Sequence, residues 1–474
     1  MLFPDPEKLP ILTGGAGSFK NNSSYGASNS KGVPSCSSRI NSSVEQDRSI
    51  SGPTKSSLFV TSINYINAIV GSGVLAIPYA LRESGLVLGV GLLMLVTWIT
   101  SRSLVMQVAS SRILGTRTYQ ETVGAAFGRP GFYICAVLQF LFPFFALISY
   151  NIIVGDTITK VLVRVSEVTD DDIYVNRQVV SVVATLLVTL PLSSLRNIGQ
   201  LGNTSFLSMV LICFIIGAMI FRAPKMAALA SSPEESVELM NWDVGPSVGV
   251  ISFAFVCHHT TFLLYNSLED NTDQRWKKAT NISVFTAMML CLLVGCVGYL
   301  PFTGFTQGDI MENYCWDDDL MAACRAIFAV SVMLTFPLEC FGAREVLETT
   351  FFRNRVPLPL WCHLLLTFSI LLAALLASYT TDCLSVVLQF SGIFVACPMA
   401  FLLPAATFIK AGGGAMFSRR NLTAWTVLTF GAISSLTGTL TLLFDWDSLV
   451  YCAHGVQMDY CFTELNGTKT RVSF

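Results

Sequence analysis

Residues 58–81 read LFVTSINYINAIVGSGVLAIPYAL, a stretch without one charged side chain. As a helix rising 1.5 Å per residue it is long enough to cross a hydrocarbon core of about 30 Å. The stretch is nevertheless interrupted past its middle, where Gly71-Ser72-Gly73 is followed by Pro78. Glycine takes non-helical dihedrals without steric cost, so the pattern predicts a membrane span that unwinds near residue 71.

Ten further stretches of similar length and apolarity follow, at 86–109, 132–159, 178–194, 199–221, 248–268, 280–301, 323–343, 360–379, 384–408 and 423–444. The 474-residue chain is 52% hydrophobic and only 13% charged, against about 25% charged in soluble domains. The fold class expected is all-α integral membrane with 11 transmembrane helices; a β-barrel would show alternation instead. A net charge of −2 gives no reason to expect a nucleic-acid partner, and the 14 Cys and 34 Gly do not alter the class. Residues 1–12 hold three prolines and three charges and no apolar h-region, so the first span is expected to open membrane insertion itself.

Ser, Gly and Asn make up 22 of the first 55 residues, too little apolar surface to offset the entropy of ordering. The expected organisation is a disordered cytosolic tail over 1–55, a transmembrane domain over 56–445, and an extracellular or lumenal tail over 446–474. Orientation rests on Lys and Arg in the short loops. With the N-terminus inside, the inner loops hold thirteen; the outer loops hold six, namely Arg82, Lys160, Arg164, Arg177, Arg222 and Lys225. The acidic runs 170–172 and 317–319 then fall outside and read as solvated loop faces. The sequon Asn466-Gly467-Thr468 becomes the expected glycosylation site, while Asn41, Asn281 and Asn421 fall inside and stay bare. Cys452 and Cys461 in the outer tail, and Cys315 and Cys324 about the outer acidic loop, are the candidate disulfide cysteines.

The sixth span carries a second interruption. Residues 249–268 read GVISFAFVCHHTTFLLYNSL, with His258 and His259 in mid-span, 186 residues after Ser72. Imidazoles at that depth should face protein or a water-filled cavity rather than lipid. Interruptions at corresponding points of two five-span halves point to an inverted repeat with a ligand site at the midplane. The halves would be about 57–221 and 247–408, with an extra helix at about 423–444. A half-helix starting near Ser72 offers unpaired N–H groups and a positive dipole end to a carboxylate. Carbonyls freed before the break suit a cation or an ammonium group, so the guest expected is a zwitterion, an α-amino acid. The seat is assigned to Gly71, Ser72, Gly73, Val74, Cys257 and His258. The competing reading of the glycines is close helix packing by small residues.

Five strings carry a specific resemblance: SINYINAIVGSGVLAIPYAL at 62–81, TYQETVGAAFG at 118–128, ISFAFVCHHTTFLLYNSLE at 251–269, GYLPFTGFTQGDIMENYC at 298–315 and LTFPLECFGAREVL at 334–347. The chain resembles the amino acid/auxin permease family, and within it the sodium-coupled neutral amino acid transporters, over about residues 55–445. The resemblance implies a 5+5 inverted-repeat fold of the APC-superfamily kind plus one helix, and sodium-coupled symport of neutral L-amino acids by alternating access. It also carries over two sodium ligands: Asn67, before Gly-Ser-Gly, and Thr335, in the Leu-Thr-x-Pro motif of span eight. Oxygen donors of that kind suit a hard cation. Two departures lie beside the pocket and leave substrate choice open. Val74-Leu75-Ala76-Ile77-Pro78 stands where several members have Ile-Leu-Gly-Leu, and Cys257-His258-His259 where others have Cys-His-Pro.

Glu339, one turn beyond Thr335, and His259 are candidates for proton coupling. The alternatives are an ion pair of Glu339 with Arg344 or Arg325, and a plain interhelical hydrogen bond for the histidine. Arg102 is expected to snorkel towards the cytosol. No zinc-protease motif, P-loop or nucleophile elbow occurs, so the chain is not read as an enzyme. It needs no cofactor beyond a co-transported sodium ion, and its partners are neutral amino acids, sodium and membrane lipid, in a chain compatible with a monomer. A proton-coupled permease and an amino-acid sensor with little transport are the rival readings. The plasma membrane is preferred over an endolysosomal membrane, although Glu7-Lys8-Leu9-Pro10-Ile11-Leu12 resembles an acidic dileucine sorting signal.

Overall fold

In lipid every backbone polar group must be satisfied within the segment, which helices alone achieve strand by strand. The computed structural model describes residues 56–166, 176–196, 204–230, 237–352, 358–413, 416–444, 457–465 and 468–471, and its membrane-length elements are all helical. In chain order they are α1 (Leu58–Ile69), a 3₁₀ turn (Ser72–Ala76), α2 (Ile77–Ser84), α3 (Leu86–Leu114), α4 (Tyr119–Ser166), α5 (Arg177–Ser193), α6 (Thr204–Ala230), α7 (Gly245–Ala254), α8 (Thr261–Ser267), α9 (Asp273–Phe302), α10 (Asp319–Phe351), α11 (Leu360–Ser378), α12 (Leu384–Ala411) and α13 (Leu422–Phe444). A two-stranded antiparallel hairpin, β1 (Phe462–Leu465) and β2 (Thr468–Arg471), closes the chain.

Each of the eleven expected stretches coincides with helix, but they do not all cross alike. Among the described residues eight helices are long and apolar enough to span a membrane, and nine if α1 and the 3₁₀–α2 segment count as one span bent by 48°. The two remaining stretches fall short for visible reasons. The fourth, α5 (Arg177–Ser193), is too short, and the sixth is divided into α7 and α8.

Local chemistry sets the ends. The Ser57 hydroxyl accepts the Val60 N–H at the start of α1, Thr272 does the same for Arg275 in α9, and Asp318 caps α10 through the N–H groups of Leu320 and Met321. α3 ends on Gly115 at φ 67°, a left-handed closure open to glycine. The centre of the bundle is α7, all ten of whose residues are buried, packed against α2, α12 and α13. α4 and α10 pair along their length. Large apolar side chains left exposed on the outer helices, such as Trp98, Phe214, Phe285 and Leu365, face where lipid would lie.

Two expectations about the loops are corrected. Cys315 is bonded to Cys461, with Cα atoms 5.6 Å apart, and not to Cys324. Cys324 is a free, fully buried thiol on the second turn of α10, whereas Cys315 lies in the preceding loop that meets the C-terminal turn. Cys461 therefore does not pair with Cys452, which lies outside the described residues, as do Asn466 and the acidic run 170–172. The run Asp317–Asp319 is a solvated face only in part: Asp319 is exposed, but Asp318 is not. Asp318 has no exposed surface; it caps α10 and pairs with Arg222 at 2.8 Å.

Candidate functional site

α1 stops at Val70, whose N–H still bonds the Ile66 carbonyl; Gly71 then leaves the helical region at φ −89°, ψ −143°. A 3₁₀ turn follows, and the first N–H groups of any such turn have no partner inside it. α7 ends at Ala254, and residues 255–260 form the second break before α8. The two breaks touch. A Cβ added at Gly73 would stand 2.8 Å from both Cα and Cβ of Ala254, closer than real contacts allow. Gly73 is thus where one interrupted helix lies against the end of the other, a close packing by small residues at the position where the sequence leads one to expect the ligand seat.

The neighbours of the seat are polar. A Cβ at Gly71 would meet the Tyr150 hydroxyl of α4 at 3.5 Å, an ordinary contact. Tyr150 is buried, shares a hydrogen bond with the Thr335 side chain, and packs its ring 6.0 Å from that of Phe336. Sequence reasoning passed over Tyr150; the signal was Ser149-Tyr150-Asn151, a polar triplet in the middle of an otherwise apolar span. Ser72, Gly73, Val74, Cys257 and His258 are all buried, and Gly71 is partly open.

The second break is held by its own carbonyl. Thr260 and Thr261 both donate to the Cys257 carbonyl, at 3.0 and 3.2 Å, and Tyr65 of α1 reaches Thr261 at 2.9 Å. His258 turns away from α1: its Nε2 lies 3.2 Å from the Ser103 hydroxyl of α3, and Gln107 donates to its carbonyl at 3.0 Å. His259 points elsewhere, its Nε2 3.6 Å from Glu339 and its ring 5.0 Å from Phe142. The structure therefore brings Glu339 to His259 and to neither arginine. Arg344 bonds the Ser193 carbonyl and Thr367, and Arg325 bonds carbonyls of the loop before α10.

Asn67 and Ser331, one turn before Thr335, both meet one face of α6. Asn67 donates to Ser205 at 3.5 Å; Ser331 meets Ser208 at 3.3 Å. The Thr335 hydroxyl donates to its own helix, 2.9 Å from the Val332 carbonyl, above Pro337. Ser205 and Ser208 are buried hydroxyls the sequence reading did not single out. Among the described residues no group of three or more His, Cys, Asp or Glu could hold a metal ion, a test that hydroxyl and amide donors do not enter.

The architecture is a bundle of membrane-length helices with two interrupted helices in contact inside it. Solved structures share it. A manganese transporter of Eremococcus coleocola matches at TM-score 0.52, 13% identity, over 81% of this chain and 86% of that one. A nucleobase-cation-symport-1 family transporter in a closed conformation matches at TM-score 0.53, 11% identity, over 82% and 94%. At such identities the likeness is one of fold alone.

The sequence goes further: residues 54–444 match the family model described as transmembrane amino acid transporter protein, and the chain belongs to that family. A Danio rerio relative, named "Putative sodium-coupled neutral amino acid transporter 11", is 39% identical over 407 residues, 86% of this chain and 90% of its own. The Homo sapiens protein of the same name is 37% identical over 384 residues, 81% and 93%. Vacuolar amino acid transporter 2 of Saccharomyces cerevisiae is 28% identical over 403 residues, 82% and 84%. The relatives are transporters and not enzymes, so the chemistry to explain is carriage.

Proposed function

We propose that this chain is a secondary active transporter carrying neutral L-amino acids together with sodium by alternating access. The observation that carries the reading is the contact between the two breaks, Gly73 on Ala254, with the Tyr150 hydroxyl beside Gly71. The substrate carboxylate takes the N–H groups at Ser72 and Gly73, its ammonium group takes carbonyls left by the end of α1, and Val74 and Cys257, with the backbone rather than the side chain of His258, complete the walls. Sodium takes oxygens of Asn67 and Thr335, with Ser205 and Ser208 close by on α6. One charge moving down the membrane potential supplies about 2.3 kcal/mol per 100 mV. The sodium reading is supported by the names of the 37–39% identical relatives.

In this reading all eleven helical stretches cross, the first ten forming an inverted repeat with α13 added, and the N-terminus is cytosolic. Asn466 is then glycosylated on the outer side and the chain acts as a monomer in the plasma membrane. The experiment is radiolabelled neutral amino acid uptake into reconstituted vesicles with and without an inward sodium gradient. Uptake that ignores sodium removes the symport. A second reading, proton-coupled transport, is favoured by one observation, the Glu339–His259 contact between α10 and the second break. Replacing sodium with choline at fixed pH separates the two.

A further inference from the structure

Between α9 and α10 the chain does not loop freely over the surface. Ile310, Met311, Asn313, Tyr314 and Cys315 are at most 2% exposed. The 3₁₀ turn Ile310–Asn313 packs on the 3₁₀ turn Ser72–Ala76, so it lies directly over the first break. Ile310 also reaches the Pro78–Gly298 contact beneath it. This segment thus covers the first break.

Three attachments keep it there. Glu312 pairs with Lys160 of α4, both with side chains less than a tenth exposed. Arg325, 1% exposed on α10, donates to the carbonyls of Met311, Tyr314 and Cys315. The third attachment comes from the far end of the sequence. Cys461 is bonded to Cys315, and the Tyr460 hydroxyl donates to the Asn313 carbonyl at 2.6 Å while its ring sits 6.0 Å from Phe302 and 5.8 Å from Phe305. The same C-terminal turn also packs on α6.

We propose that residues 309–315 are a plug over the substrate seat, that the C-terminal turn 458–461 is a strap limiting its withdrawal, and that the Lys160–Glu312 pair is the lock that opens in each cycle. The inference rests on the seat assigned above, but its test does not depend on which substrate is carried. A buried ion pair suits a lock. It is lost as a unit when the plug lifts and both charges regain water, so it costs little to open and specifies one closed position. The covalent strap, by contrast, persists in every state of the cycle and sets how far the plug travels.

The test uses Val74→Cys, in the 3₁₀ turn on which residues 310–313 pack, in intact cells, labelled with a membrane-impermeant maleimide; the chain without that substitution gives the background. Cys315→Ser/Cys461→Ser in the Val74→Cys chain removes the strap without leaving a new thiol, and Glu312→Gln removes the lock. Each should raise the labelling rate about fivefold or more, the lower end of a usual coupling between two states. Surface biotinylation checks that each variant reaches the membrane, and Tyr460→Phe, a milder loosening of the strap, should give a smaller rise. Equal labelling rates in the parent, strap-free and lock-free chains would overturn the proposal. So would a Val74→Cys chain that stays unlabelled in all of them, since the plug would then not be what covers position 74. A seat that fails in uptake assays while labelling responds as stated would overturn the substrate assignment and leave the plug.

Discussion

At the scale of single residues the two glycines of the first break separate packing from binding. Gly73 has no room for a Cβ, so Gly73→Val should abolish transport by forcing α7 aside, and protein yield should fall with it. Gly71 has room, its nearest neighbour being the Tyr150 hydroxyl at 3.5 Å. Gly71→Ala should therefore reach the membrane in normal amount and raise the substrate concentration for half-maximal uptake. An unchanged value would place the substrate elsewhere. The ion site gives a second residue-scale test. Asn67→Ala and Thr335→Ala each remove one oxygen without creating a charge, and each should weaken sodium about 5- to 150-fold, about 1–3 kcal/mol. If both serve one ion, the double variant should be less than additive in sodium titrations of uptake. The break was legible because glycine and proline mark it. Tyr150, Ser205 and Ser208 were not, because a tyrosine or serine in an apolar span has the same look whether it meets a ligand or a neighbouring helix.

At the scale of elements, α7 and α12 approach so closely that Gly249 and Gly392 share the space of one side chain. A Cβ on Gly392 would overlap the Gly249 carbonyl, so Gly392→Ala should cost several degrees of thermal stability in detergent. Gly217, mid-helix in α6, has open space around it, and Gly217→Ala should be neutral or mildly stabilising in the same assay. The plug carries its own pH dependence. Burial pushes the Asp309 carboxyl up to about 6, against the Met311 N–H and the charge of Lys160, which favour its ionised form; Asp156 and Arg325 also face it. Its folded pKa lies above the unfolded value, so folded protein binds the extra proton and gains stability as pH falls from about 6 towards 4. Asp309→Asn should reduce that gain in thermal melts at pH 6 and pH 4.5. Element boundaries were readable from hydropathy almost throughout. The exceptions are physical: a helix cut at residues 255–260 still scores as one apolar run, because hydropathy averages over the break that dihedrals define. The sequence named Cys315 and Cys461 among its disulfide candidates but left the connectivity open. Cys324 lies nearer to Cys315 along the sequence, but it sits on the second turn of α10 and is buried in the core.

At the scale of the whole molecule, the orientation proposed from loop charges has a direct check. Enzymatic deglycosylation should shift the mobility of the wild-type chain, and Asn466→Gln should remove the shift. A shift that persists and maps to Asn281 would reverse the orientation. Asn421 is 2% exposed and donates to the Met416 carbonyl, so it is a poor acceptor on either side. On the face that carries the hairpin, several described basic side chains find acids. Lys160 pairs with Glu312, Arg164 with Asp317 and Asp319, Arg177 with Asp156 and Asp382, and Arg222 with Asp318. Among the described residues, charges matched at such short range cancel beyond a few ångströms and add little field to steer an arriving ion. Solutes should therefore reach this mouth by plain diffusion. Raising ionic strength with an inert salt, at constant sodium, should leave the initial rate of amino acid entry nearly unchanged, where a mouth built to gather ions would slow several-fold.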